Sequence, residues 1–413
     1  IKDFLDLKKN SGEERRRAHD LFPALWIPDL FMKRVSEDGV WTLLDPDQCS
    51  DLTNMYGAEF DKRYTEYEKD VSKIKDIVKA KDLWKKILTS YFETGSPFLC
   101  FKDTANKMNP NNHKGIIRSS NLCTEIFQNT EPNGYEIRIE FTDGNVIHYA
   151  ENEQVKVDNG TTKRSNKISS IDSIDGKQVY VVEKTQIAGK TAVCNLASIN
   201  LSKINSKEDL ERVIPTAIRM LDNVIDLNFY PLKKVKDTNY LNRAIGLGIM
   251  GEAQMLAENK IEWGSDKHFE KIDEVMEIIS YNAIKSSSDL AIEKGKYLEY
   301  EGSKWSKGIF PIDLASQEVK NIIDRGGLFG TTYDWDELRE KVKKDGMRNG
   351  YLMAIAPTSS ISILAGTTQT IEPIYKRKWF EENLSGLIPV VAPNLNPDTW
   401  QYYTPAYEVN QLK

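Results

Sequence analysis

The sequence predicts an α/β protein, and three observations carry that expectation. Apolar residues recur at helical spacing over 80–94, 205–228 and 269–294. Short apolar runs flanked by turn residues, at 98–101 and 352–356, read as buried strands between such helices. Residues 130–190 change to period-two alternation, which marks a small β-rich piece.

Residues 1–20 run from a short apolar stretch into Glu13-Glu14-Arg15-Arg16-Arg17, the pattern of a solvated face. The stretch 22–35, with Trp26, Ile27, Leu30, Phe31 and Met32, predicts a core helix interrupted near Pro23 and Pro28. A strand followed by a turn at Asp45-Pro46-Asp47 is expected over 40–49, and a helix over 52–67. In the helix at 80–94, Leu83, Trp84, Ile87, Leu88 and Tyr91 share one face, and Gly95-Ser96-Pro97 ends it. Residues 103–114 are rich in Asn and read as loop.

In the β-rich piece, Tyr135 to Phe141 alternates, Thr142-Asp143-Gly144-Asn145 turns, and Val146-Ile147-His148-Tyr149 returns. Residues 178–187 add a further strand beyond the polar Asp158-Asn159-Gly160, and His148 reads as a sheet-surface residue. In the helix at 205–228, Val213, Ile214, Ala217, Ile218, Leu221 and Ile225 line one face. Gly246-Leu247-Gly248-Ile249-Met250-Gly251 superficially matches a dinucleotide loop, but no long β run precedes it; close packing against a neighbour explains the glycines better. Beyond the helix at 269–294, Trp305 and Phe310 fall in a loop, and Thr331-Thr332 precede a helix at 334–344.

Composition narrows the function classes. The chain has 413 residues and a net charge of −6, which gives no footprint for nucleic acid or an anionic membrane. No apolar run approaches the roughly 18 residues of a membrane span. Four cysteines, Cys49, Cys100, Cys123 and Cys194, are too few for a secreted disulfide framework and fit a reducing compartment. No CxxC pair or His cluster suggests zinc, so no bound metal is expected.

The chemistry concentrates in Ser119-Ser120-Asn121-Leu122-Cys123-Thr124-Glu125-Ile126. In an extended segment, side chains at i, i+2 and i+4 share a side. Asn121, Cys123 and Glu125 are then expected to face one space, with Leu122, Thr124 and Ile126 opposite. A thiol, a carboxylate and an amide on one face form a small reaction centre, although a free cysteine is more often a small buried hydrophobe. Thr358, Ser359, Ser360 and Ile361 follow a short apolar run and Pro357. A helix start of this kind can hold an anion through its backbone N–H groups, or can simply be a Ser/Thr cap.

The 119–126 stretch resembles the radical-bearing finger loop of the class I ribonucleotide reductase large subunit. Further stretches resemble the same family in the same order: 6–12, 24–32, Ala192-Val193-Cys194-Asn195-Leu196-Ala197-Ser198, Met347-Arg348-Asn349 with Pro357-Thr358-Ser359-Ser360, and Ile371-Glu372-Pro373. The resemblance implies a ten-stranded α/β barrel with a central finger loop, incomplete here at both ends. It divides the chain into a first barrel part (1–129), a β-rich insert (130–190) that departs from the common family pattern, and a second barrel part with the phosphate loop (191–413).

By resemblance, Cys123 is the thiyl radical that takes the 3′ hydrogen of a ribose, Glu125 the general base, and Asn121 the group that orients the sugar. Cys194 is one member of the reducing dithiol, whose partner is expected upstream of Ile1, and Cys49 and Cys100 are structural. Thr358, Ser359, Ser360 and Ile361 hold substrate phosphates, Ile361 through its backbone alone.

The implied activity is ribonucleoside-diphosphate reduction in the cytoplasm. The chain would bind no cofactor itself, and a metal-containing small subunit would supply the radical. A thioredoxin or glutaredoxin-type reductant and a homodimer are also implied. Effector sites are expected upstream, and radical-relay tyrosines and redox cysteines downstream. The alternatives are an adenosylcobalamin-dependent reductase and a nucleotide-binding regulatory relative without catalysis.

Overall fold

The structure is a computed structural model that describes residues 1–11, 13–150, 173–174, 177–315, 333–384 and 386–409. In chain order the elements are α1 (Lys2–Asp6), β1 (Ala24–Ile27), α2 (Asp29–Ser36), β2 (Val40–Leu44), α3 (Gly57–Tyr67), β3 (Ile74–Lys79), α4 (Ala80–Thr94), β4 (Phe98–Phe101) and α5 (Lys102–Met108). Then come β5 (Gly134–Phe141), β6 (Val146–Ala150), β7 (Ser173–Ile174), β8 (Lys177–Ile187), β9 (Leu196–Asn200), α6 (Lys207–Leu227), α7 (Lys233–Asn242), β10 (Gly246–Met250), α8 (Glu252–Glu258) and α9 (Asp266–Lys294). The last are α10 (Trp335–Asp345), α11 (Ser359–Ala365), β11 (Lys378–Asn383) and β12 (Gly386–Val391). Among the described residues no helix is long and apolar enough to cross a membrane.

The chain divides into two compact units. One comprises 130–193 and 230–238, and its strands form an antiparallel sheet in the order β6-β5-β8-β7. Asp143 Oδ1 accepts from Asn145 N at 3.0 Å in the β5–β6 turn, with Gly144 at φ +82°, so Asp-Gly sets the reversal. His148 stands opposite Arg138 in the ladder, and its side chain lies outside the described residues, as do Asp158-Asn159-Gly160.

The other unit comprises 1–129, 194–229 and 239–413. Its β1–β4 and β9–β10 pairs are parallel, and its β2–β3 and β11–β12 pairs are antiparallel. All residues of β10 are buried, as expected of a parallel strand covered on both faces. Its Leu247 and Ile249 join Ile214, Ile218 and Ile225 of α6, Ile278 and Ile279 of α9, and Leu338 and Val342 of α10 in one core. Pro215 is tolerated inside α6 on its exposed side. Among the described residues these ladders do not close into a barrel; the α/β character is realised as separate strand pairs among helices.

Several expectations need correction. Residues 24–27 form a strand, because Trp26 and Ile27 pair with Cys100 and Phe101, and the prolines on either side delimit a strand and then α2. The helix expected over 52–67 begins only at Gly57; Ser50–Asn54 is a 3-10 turn, and Gly57 at φ +60° redirects the chain. The expected loop at 103–114 contains α5 and a further 3-10 turn. Its polar residues bond at a distance: Asn106 Nδ2 donates to Ile117 O at 3.1 Å and its Oδ1 accepts from Ile117 N at 2.7 Å. Residues 352–356 make a single β-bridge, Leu247 to Met353, and bond beside β10 without forming a regular strand. Trp305 and Phe310 are buried in the core, with Trp305 on a 3-10 turn. The helix expected at 334–344 is present as α10, capped by Asp334; Thr331-Thr332 lie outside the described residues.

The 246–251 glycines serve close packing, as the sequence suggested. A Cβ on Gly248 would lie 2.2 Å from Ala354 O. One on Gly246 would lie 2.6 Å from Leu196 Cδ2, 2.9 Å from Ala354 Cβ and 3.4 Å from Ile126 Cδ1. β10 thus draws together the segments carrying the three sequence motifs.

Candidate functional site

The 119–127 segment is not extended. Ser120 and Phe127 form an antiparallel bridge, and between them the chain reverses. Thr124 N donates to Asn121 O at 3.2 Å, and Asn121 N donates to Ile126 O at 3.3 Å. The Asn121 side chain closes the turn, its Oδ1 accepting from Ile126 N at 3.0 Å, as a short amide can when it replaces a backbone carbonyl. Cys123 therefore sits at an exposed tip, with Leu122 also exposed and Ile126 buried. The expected split into two faces is replaced by a turn.

Thr124 has φ +62°, Thr358 φ +55° and Thr370 φ +40°, and these are the β-branched residues with positive φ among those described. Such a conformation costs about 1–2 kcal/mol and concentrates at functional loops. Two of the three fall on motifs singled out from sequence, and the third, Thr370, donates its N–H to Thr358 Oγ1 at 2.8 Å.

The turn brings Asn121, Cys123 and Glu125 into one environment with Cys194. Partial burial raises the Cys123 thiol above its ordinary pKa, and the Glu125 charge raises it further. Cys194 is raised first by burial, then by Glu125 and by Cys123, while a hydrogen bond from the Asn121 side chain pulls the other way. Both thiols are free and reach solvent. The net effect holds each sulfur as S–H at neutral pH. Glu125 Oε2 is buried and has no hydrogen-bond partner among the described residues.

This arrangement gives a test. Glu125→Gln removes one charge that faces both sulfurs, so both thiol pKa values should fall. At pH 8, thiolate alkylation of both Cys123 and Cys194 should accelerate severalfold, followed peptide by peptide by mass spectrometry. Acceleration at one thiol alone would show that the two do not share the carboxylate.

Cys194 is fixed by the residue after it. Asn195 O accepts from Gly246 N at 2.8 Å, and Asn195 Nδ2 donates to Ala244 O at 3.1 Å, which clamps the start of β9 to the start of β10. Sequence reasoning overlooked Asn195, although it stands inside the Cys194 motif. It also overlooked Tyr351, whose hydroxyl donates to Asn129 Oδ1 at 2.7 Å and ties the end of the finger stretch to the 347–353 segment.

The phosphate-loop candidates stand at the start of α11, an element that carries none of the quartet Asn121, Cys123, Glu125 and Cys194. Thr358 is buried at the N-cap of α11 but does not cap it, since its Oγ1 is taken by Thr370 N. Ser362 N donates to Thr358 O at 2.9 Å, which leaves the N–H groups of Ser359, Ser360 and Ile361 as first-turn donors on exposed residues. Among the described residues, no hydrogen bond or ion pair joins Thr358, Ser359, Ser360 or Ile361 to the quartet. The connection runs through Ala354, Gly246 and Ile126. Cys49 and Cys100 are buried away from solvent.

The comparison with known proteins agrees with the motifs. The family model described as ribonucleotide reductase, barrel domain, matches residues 1–412. The chain belongs to this family. A ribonucleoside-diphosphate reductase subunit alpha from Helicobacter pylori (strain J99) is 66% identical over 410 residues, covering 99% of this chain and 52% of the relative. Proteins of the same description from Chlamydia trachomatis and Treponema pallidum are 42% and 39% identical, covering 93% and 100% of this chain and 32% and 44% of the relatives. The chain thus spans about half the length of the Helicobacter relative and less of the other two.

Proposed function

We propose that this chain is the catalytic portion of the large subunit of a class I ribonucleoside-diphosphate reductase, which reduces ribonucleotides to 2′-deoxyribonucleotides. The observation that carries the reading is the shared environment of Asn121, Cys123, Glu125 and Cys194 in a chain of this family. The complete fold is a ten-stranded α/β barrel with the 119–127 turn as its finger.

In this mechanism Cys123, as a thiyl radical, removes the 3′ hydrogen atom and becomes a thiol. Glu125 takes the 3′-hydroxyl proton through its open carboxylate oxygen. The 2′-hydroxyl leaves as water. Cys194 and a second thiol supply two electrons and two protons and become a disulfide. Cys123 then returns the hydrogen atom to C3′ and is again a thiyl radical, while Glu125 returns its proton to the 3′ oxygen, so the hydroxyl is restored and the carboxylate is regenerated. The sum is ribonucleotide plus dithiol giving deoxyribonucleotide, disulfide and water. The raised thiol pKa values favour this chemistry, because hydrogen-atom transfer needs S–H rather than thiolate. Asn121 orients the ribose, and Thr358, Ser359, Ser360 and Ile361 receive the diphosphate.

The partners in this reading are a metal-containing small subunit that generates the radical, a ribonucleoside diphosphate and a thioredoxin or glutaredoxin-type reductant. A second copy of the subunit completes a cytoplasmic homodimer. Nucleoside triphosphate effectors bind outside residues 1–413. The test is deoxynucleotide formation by the full-length subunit with its small subunit. Turnover should need no added cobalamin, and Cys194→Ser should lower sustained turnover by roughly a hundredfold or more. Dependence on adenosylcobalamin, or near-normal turnover by Cys194→Ser, would overturn the assignment.

A further inference from the structure

We propose that a cleft beside β1 binds a small organic anion, with a phosphate or carboxylate head at Lys102 and Arg118 and an apolar body against Trp26 and Phe60. Its walls include Trp26, Pro28, Leu52 and Phe60, and its cations are Lys102 and Arg118. This site is distinct from the thiol quartet and does not depend on the proposed reaction.

Lys102 carries the argument. It opens α5 and is only 8% exposed. Its Nζ donates to Leu52 O at 2.8 Å and lies 4.8 Å from the Phe60 ring centroid. An ammonium has three donors, and a backbone carbonyl and a ring face supply no counter-charge. The adjacent carboxylate does not pair with it either. Asp103 Oδ2 accepts from Asp29 N at 2.6 Å and its Oδ1 from Gly57 N at 2.7 Å, so both oxygens are committed to backbone amides.

A buried cation without a paired carboxylate among the described residues is costly, and an anion entering the cleft relieves that cost. Burial pushes the Lys102 ammonium down to about 8, with Asp103 opposing the shift and Arg118 adding to it. Arg118 reaches the same cleft, and Asn54 Oδ1 is one of its partners, bonded by Nε at 3.2 Å and Nη2 at 2.7 Å. Two cations over one apolar cleft fit an anionic head better than a neutral one.

The body of the ligand is set by the walls. Trp26 is held edge-on by Phe127 at 5.8 Å, and Phe60 is stacked on Tyr64 at 5.7 Å. These rings are fixed before any ligand arrives, and they favour a flat apolar group. The chemical class is an aryl or similarly planar phosphate or carboxylate.

The experiment follows acetylation of Lys102 by acetic anhydride at pH 8 in the full-length subunit, read by mass spectrometry, with phenyl phosphate, benzoate and inorganic phosphate as probes. Phenyl phosphate should slow labelling about tenfold at saturation, and Arg118→Ala, a change at an exposed side chain, should weaken that protection several times over. Protection by benzoate instead would assign the head to a carboxylate and equally support the site. The proposal falls if neither aryl anion protects, if Arg118→Ala leaves protection unchanged, or if inorganic phosphate protects as well as phenyl phosphate.

Discussion

Cys123→Ser in the full-length subunit should lower deoxynucleotide formation by a factor of about 10⁴ or more while nucleotide affinity stays within about twofold of the parent. The change replaces one sulfur by oxygen at nearly constant shape, so its effect isolates the bond being broken. An O–H bond is too strong to be oxidised by a distant radical, and too strong once formed for a reversible exchange with the ribose C–H. The fold should not respond. Cys123 sits at an exposed turn tip, and the turn is closed by Asn121 and Ile126 rather than by the sulfur. Surface substitutions of this kind usually change stability by about 0.5 kcal/mol or less. Product formation and equilibrium dialysis of nucleotide, measured on the same preparation, separate the two effects. Appreciable turnover by this variant would rule out the thiyl mechanism at Cys123.

The largest expected effect on stability belongs to Asp222→Asn. The Asp222 side chain is 0% exposed and receives Arg243 Nε at 2.8 Å, Asn349 Nδ2 at 3.2 Å and Arg348 Nε at 3.3 Å, with Lys294 Nζ 3.6 Å away. Arg243 also donates to Asp226 through Nη1 at 2.9 Å and Nη2 at 2.8 Å.

Neutralising Asp222 leaves two guanidinium groups facing an amide. Removing one partner of a buried ion pair typically costs about 3–5 kcal/mol. Asp226 is 40% exposed, and its Asn variant should cost about 1 kcal/mol or less because water replaces the lost charge. Denaturation midpoints of the two variants make the comparison internal. Equal midpoints would mean that the network does not hold this core together.

The network also bears on the site. Arg348 and Asn349 stand in the Met347-Arg348-Asn349 motif, and Asn349 Nδ2 donates to Arg243 O at 3.0 Å while its Oδ1 accepts from Ser287 Oγ at 2.9 Å. The motif thus anchors the start of the segment that runs past β10 to Thr358. Loss of Asp222 should therefore loosen the loop proposed to receive the diphosphate along with the core.

Local pattern was legible where one element decides its own fate. The helix at 80–94 is α4 to the residue, with Gly95 at φ +67° ending it. In α6 the same periodicity buries Ile214, Ile218, Leu221 and Ile225. The hairpin turn at 142–145 follows from Asp-Gly chemistry, and the glycines of β10 from close packing. Legibility failed where a distant partner decides. Residues 24–27 share their apolar character with helices and become a strand because residues 98–101 run beside them. The asparagines near 106 read as loop formers, yet Asn106 bonds Ile117 from within a helix.

The sequence by itself supplied the groups proposed to react: a thiol, an amide and a carboxylate within five residues, a second thiol, and a hydroxyl-rich loop, in a chain that belongs to one family. Tertiary structure alone decided how they meet. The Asn121 amide folds the segment back on itself, and the Gly246 contact surface brings Ile126, Leu196 and Ala354 together. The reason is that side-chain chemistry is written residue by residue, whereas a backbone reversal and a helix–strand approach depend on hydrogen bonds and contacts whose other halves lie far along the chain.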